Sequence, residues 1–225
     1  MTEAEWNAAE PPEEWLLSPA VLNYLRGWCT SDRKLRLFAV ACARRLAHLL
    51  PDDSCRQAIL IAERHADGLA SDVELAQAQT RAQIGGRADD SPAEIARSAA
   101  IYAAHRDLAE AADTALGYSM HPWLHPANRH DEARFRVENL RRWAWLHDIV
   151  GHPFTPETFA PAWRSANAVA VADSIYSDRA FDRLPILADA LEDAGCTSRD
   201  ILDHCRQPGV HVRGCWVVDL VLGKE

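Results

Sequence analysis

The chain has 225 residues, with 24 Lys+Arg against 33 Asp+Glu and a formal net charge of −9. That length accommodates one domain or two small ones, and a core can form without disulfide or metal staples. With 48% hydrophobic and 25% charged residues the composition is that of a folded protein. The acidity excludes a protein that coats nucleic acid through bulk charge. No run of about 18 apolar residues exists to span a membrane.

About 40 alanines stand against ten glycines. Ala is the best helix former and Gly among the worst, so the composition predicts an all-α protein. Only two of the basic residues are lysine, Lys34 and Lys224. The N-terminus is acidic (Glu3, Glu5, Glu10, Glu13, Glu14) and lacks an apolar signal region, which implies a cytoplasmic chain. Cys29, Cys42, Cys55, Cys196, Cys205 and Cys215 are then expected as reduced, mostly buried thiols.

Taken in order, Ser18-Pro19 opens a first helix, with Val21, Leu22, Tyr24, Leu25 and Trp28 as its apolar stripe. Thr30-Ser31-Asp32 starts a second, whose Leu35, Phe38, Ala39, Cys42, Leu46 and Leu49 recur at helical spacing. A third runs from about Ser54 to Ala66 and stops at Gly68. Ser71 with Glu74 forms a capping box for a fourth, broken by Gly85-Gly86. Ser91-Pro92-Ala93-Glu94 is the clearest start signal, and a long Ala-rich helix to about Gly117 is expected after it.

Residues 118–129, YSMHPWLHPANR, read as an irregular loop. A helix follows from about Asp131 to Val150, then a Pro-rich stretch at 151–161. Further helices are expected at about 165–177 and 181–194, and a short one capped by Thr197 with Asp200 through Cys205. The final apolar run, 216–222, suits either a strand or a helix; helix is preferred because no partner strand is in sight. The organisation expected is an acidic arm (1–17), a helical bundle (18–150) and a C-terminal helical segment (151–225). The architecture expected is a compact multi-helix bundle, with a short α-solenoid as the alternative.

Several stretches together carry a resemblance: SDRKLRLFAVACARRLA (31–47), ERHADGLASD (63–72), AFDRLPILADALEDAGCT (180–197) and the run from Ile201 through HVRGCWVVDLVLG to Gly223. They resemble an uncharacterised protein family abundant in planctomycete-type bacteria. GHPFTP (151–156) is similar to a short Gly-Asn-Pro-Phe segment of that family, with His152 at the usual Asn. The resemblance implies a bacterial cytoplasmic helical protein. It implies no activity and carries no site residue across.

Two clusters have ligand chemistry. Cys205, His211 and Cys215, with His204 or Cys196 to complete a set, offer the thiolate and imidazole donors that zinc prefers. They lack a C-x-x-C knuckle, and a purely structural role competes, in which Arg213 bonds helix-end carbonyls or Asp219. His121, His125 and His130 could form a three-histidine site if their loop folds back, with Asp131 or Glu132 as base. Arg142 and His147 match the loose R-x4-H pattern of HEPN-type helical ribonucleases. The alternative has Arg142 exposed and His147 at a helix C-terminus. Arg129, Arg134, Arg136, Arg141 and Arg142 are interleaved with acids and read as a solvated face or a local anion patch. Trp143 and Trp145 are two apart, so one is expected inside and the other at an edge. Trp6 and Trp15 either staple the arm or meet a partner.

No nucleophile elbow, Walker loop or dinucleotide fingerprint occurs. The expectation is a non-catalytic protein-interaction or adaptor module with another protein as partner, no membrane and no nucleic acid. No cofactor is expected beyond zinc at the clusters above. The alternatives are a zinc-binding protein or metal-dependent hydrolase, and the helical ribonuclease.

Overall fold

The computed structural model describes residues 2–8, 31–87, 89–108, 111, 112, 114, 117, 118 and 132–224, the side chains of 132, 134 and 135 excepted. The helix expected after Ser18-Pro19, Trp15, most of the acidic arm and His121, His125 and His130 lie outside these residues. Among the described residues there are helices and no strand. The protein is an all-α, multi-helix fold. No described helix is long and apolar enough to cross a membrane. The chain divides into two compact units, Met1–Trp143 and Ala144–Glu225.

The first unit begins with α1 (Glu3–Trp6), closed by a capping box in which Thr2 and Glu5 satisfy each other's backbone N–H. Four helices follow: α2 (Asp32–Arg45), α3 (Asp53–Ala66), α4 (Asp72–Gln83) and α5 (Pro92–Ala103). Their starts are capped as the sequence predicts, by Ser31, by the Ser71–Glu74 box and by Ser91 with Pro at the first turn. Asp52 caps α3. α2 packs on α3 and α5, and α4 packs on α3 and α5. Leu35, Phe38, Cys42 and Leu46 of the second predicted stripe are buried, while Leu49 is only partly so.

The Ala-rich helix is shorter than expected. It stops at Ala103, residues 104–107 leave the helix, and helical conformation resumes at 108. The break is built by polar groups. Arg36, buried on α2, donates to the carbonyls of Ala103 (3.1 Å) and His105 (2.9 Å). The Asp107 N–H bonds the His105 ring at 3.2 Å. Helix-end carbonyls that lack an intrahelical partner are thereby satisfied inside the protein.

A second polar knot joins three helices. Arg97 in the middle of α5 pairs with Asp52 (2.8 Å) and Glu94 (3.1 Å), and donates to the Ala82 carbonyl at the end of α4 (2.8 Å). The N-terminal residues are fixed by aromatic packing. Trp6 is fully buried, its ring 5.3 Å from that of Trp143 at 60°, and the Trp143 indole N–H donates to the Ala8 carbonyl at 3.2 Å. Trp6 is therefore a staple within the first unit.

α6 (Glu132–Val150) carries the chain from the first unit into the second. It is buried on more than one face, so Trp143 and Trp145 are both inside. A helix covered over so much of its circumference has no solvent edge for the second Trp. The basic face expected around it is partly consumed in internal pairs: Arg45 bonds Glu138 at 2.6 and 3.1 Å, and Arg141 lies 3.6 Å from the same carboxylate.

The second unit continues with α7 (Ala166–Asp178), α8 (Leu184–Asp193), α9 (Arg199–Arg206) and α10 (Trp216–Leu222). The run 216–222 is helical, as preferred. The cap of α9 is Ser198, not Thr197: its hydroxyl accepts from the Ile201 N–H at 3.3 Å. α8 packs on α7 and α9, and α10 packs on α7 and α9. The core is apolar, with Ile175, Leu184, Leu187, Leu191, Ile201 and Val217 fully or almost fully buried. Arg213 donates to the Tyr176 carbonyl in the last turn of α7 (3.0 and 3.3 Å), as expected for a helix-end lock.

Candidate metal centre

Three elements of the second unit converge on Asp148. The carboxylate sits in the last turn of α6, on a face otherwise made of Trp145 and Ile149. His204 comes from the last turn of α9. His211 and Val212 lie on the loop that follows, and Cys215 is the residue before α10.

Asp148 is almost completely buried, so its charge must be matched by donors. Three are present. His211 Nδ1 lies 2.6 Å and His204 Nε2 3.1 Å from Oδ1, and the Val212 backbone N–H donates to Oδ2 at 2.8 Å. Burial by itself would raise the Asp148 pKa. The hydrogen bonds from the two imidazoles outweigh it and hold the carboxyl below the usual range.

Cys215 Sγ stands 3.3 Å from His204 Nε2. The Trp216 indole donates to His204 Nδ1 at 3.1 Å. Indole nitrogen is a donor only. Nδ1 of His204 must therefore accept, and the neutral ring carries its proton on Nε2, facing Asp148 and Cys215.

Asp148 Oδ1 or Oδ2, His204, His211 and Cys215 each offer one ligand atom, and these four atoms all lie within 4.8 Å of one another. Zinc ligands at about 2.0–2.3 Å in a tetrahedron stand about 3.3–3.8 Å apart. The contacts of 2.6, 3.1 and 3.3 Å thus need to open by an ångström or less. Two imidazoles, a thiol and a carboxylate form a donor set that suits zinc.

His204, His211 and Cys215 of the first predicted cluster come together. Cys205 and Cys196 do not join them. Cys205 follows His204 on α9, about 100° further round the helix, and is buried in the apolar core with Cys196. Asp148 has no place in the predicted cluster. It is 56 positions from His204, and no local spacing links them. Its one sequence signal is an acid inside the apolar run Trp145-Leu146-His147-Asp148-Ile149-Val150.

The same geometry excludes a Cys–His–Asp hydrolase centre. That arrangement needs the carboxylate on one imidazole nitrogen and the thiol on the other. Here both face Nε2 of His204, and Trp216 occupies Nδ1. Burial, with Asp148 nearby, also pushes the Cys215 thiol well above its usual range and that of Cys205 up to about 12.

Compared with known proteins, the chain matches no family model, no curated protein and no solved structure.

Arg142, exposed on the alternative to the ribonuclease reading, is buried and donates to Asn139 Oδ1 at 3.3 Å, and burial lowers its pKa to about 10. His147 is lowered to about 4, again by burial first.

Proposed function

We propose that the chain is a non-catalytic helical module that acts by binding another protein, and that its C-terminal unit is held together at a closed zinc site. The observation that carries the reading is the meeting of Asp148, His204, His211 and Cys215, each with one donor atom within 4.8 Å of the other three. Structural zinc sites supply four protein ligands, whereas catalytic ones keep a position open for water or substrate. Four protein donors with a buried thiol and a buried carboxylate fit the first class. This favours a structural role over a metal-dependent hydrolase. A net charge of −9 supports a basic partner surface.

The test is metal analysis of protein purified without a histidine tag from zinc-supplemented culture. About one equivalent of zinc is expected, lost in Cys215→Ser and His211→Ala. Less than about 0.1 equivalent in correctly folded protein overturns the zinc reading. A pull-down from native lysate that returns no specific partner counts against the interaction role.

A further inference from the structure

Resting on that zinc reading, we infer that Trp216 gates the site: the Trp216–His204 hydrogen bond and metal ligation by His204 exclude each other.

The argument is one of donors and acceptors. His204 Nε2 is the nitrogen that faces the other donors, 3.1 Å from Asp148 Oδ1 and 3.3 Å from Cys215 Sγ. To ligate an ion it must present a lone pair. A neutral imidazole that gives one nitrogen to a metal carries its proton on the other, where a second group usually accepts it. In this unit the other nitrogen, Nδ1, faces the Trp216 N–H at 3.1 Å. With a proton on Nδ1, two N–H groups would point at each other, and indole has no lone pair to offer instead. The indole must swing away before His204 can bind an ion. The Gln207 side-chain amide nitrogen lies 3.4 Å from the same nitrogen, and with the amide turned over its carbonyl oxygen can accept a hydrogen bond from Nδ1–H.

Trp216 does not move alone. A methyl group added at Gly151 would sit 3.0–3.3 Å from the Trp216 side chain, so the ring rests on bare backbone there. The His152 ring stands edge-on to it at 6.4 Å. Release of the indole therefore unseats Gly151 and His152, the two residues that follow α6. The second unit has a metal-free form closed by Trp216 and a metal-bound form with the indole released.

The experiment titrates tag-free wild-type protein and Trp216→Phe with zinc ion against a competing chelator, and with cobalt(II) ion followed by its visible spectrum. Trp216→Phe keeps an aromatic ring at the position and removes the N–H. Losing one competing hydrogen bond should tighten binding roughly five- to tenfold. In the wild type, the Trp216 indole N–H resonance should shift on zinc addition toward its non-hydrogen-bonded position. This second readout does not depend on the variant folding. Equal affinities with an unmoved indole resonance overturn the gate and leave the zinc site standing. Failure of both folded proteins to bind either ion overturns the zinc reading, and the gate falls with it.

Discussion

Asp52 and Arg97 meet at 2.8 Å, joining the cap of α3 to the middle of α5. Arg97 also serves Glu94 and the Ala82 carbonyl, so one guanidinium closes α3, α4 and α5 together. Its side chain and that of Glu94 are buried, while Asp52 keeps a solvent edge. Arg97→Met should destabilise the protein by about 3 kcal/mol, chiefly by leaving the buried Glu94 charge without its guanidinium partner and the α4 carbonyl without a donor. Arg97→Lys should recover less than half of that, because an ammonium cannot serve three acceptors in a plane. Urea unfolding of both variants checks the order.

Asp52 also predicts an acid dependence. Burial raises its pKa, but bonds from Ser54 and Cys55 and the charge of Arg97 prevail and bring it to about 2. A carboxyl depressed in the folded state contributes stability that is fully present above its unfolded value of about 3.9. That contribution is lost as pH falls from about 4 through 2. The urea midpoint should fall across this window in the wild type and less steeply in Asp52→Asn. An identical slope in the two proteins would contradict the assignment.

Gly151 and Gly68 give a paired test. Both have positive φ, +73° and +71°. A Cβ at Gly68 meets nothing within 4 Å, whereas at Gly151 it meets the Trp216 ring. Gly68→Ala should cost about 1 kcal/mol, the backbone cost alone. Gly151→Ala should cost about 2–3 kcal/mol, because the indole must also shift. Thermal unfolding measures both, and only Gly151→Ala should change the indole fluorescence.

Asp148→Asn tests the polar centre of the second unit. Every donor now aimed at the carboxylate is an N–H. The replacing amide must point its NH2 at either Val212 or the histidines, and one donor then faces another. A loss of about 3 kcal/mol is expected in metal-free protein. Chemical denaturation in chelator-treated buffer separates this from any loss of zinc.

Much of the fold is legible because helix starts are local. Ser31, Ser71 with Glu74, and Ser91 with Pro92 announce their helices within four residues, and each is found capping as read. The break at Ala104 is not legible, since the group that ends α5 is Arg36, 67 positions earlier. Thr197 and Ser198 are adjacent hydroxyl residues, and only the backbone decides which one caps. The candidate site divides the same way. His204, His211 and Cys215 lie within twelve residues and are visible as a cluster of ligand types. Asp148 reaches them only through the packing of α6, and Cys205 leaves them because neighbours on a helix point apart.

The contact between Trp6 and Trp143 bears on the order of events during synthesis. Ala8 leaves the ribosome 135 positions before the indole that binds its carbonyl. At about 5–20 residues per second, that interval is on the order of ten seconds. Throughout it the contact between the Trp6 and Trp143 rings cannot form. This pairing is therefore made late, and deletion of residues 2–8 should leave the earlier helix pairings intact while uncovering Trp143.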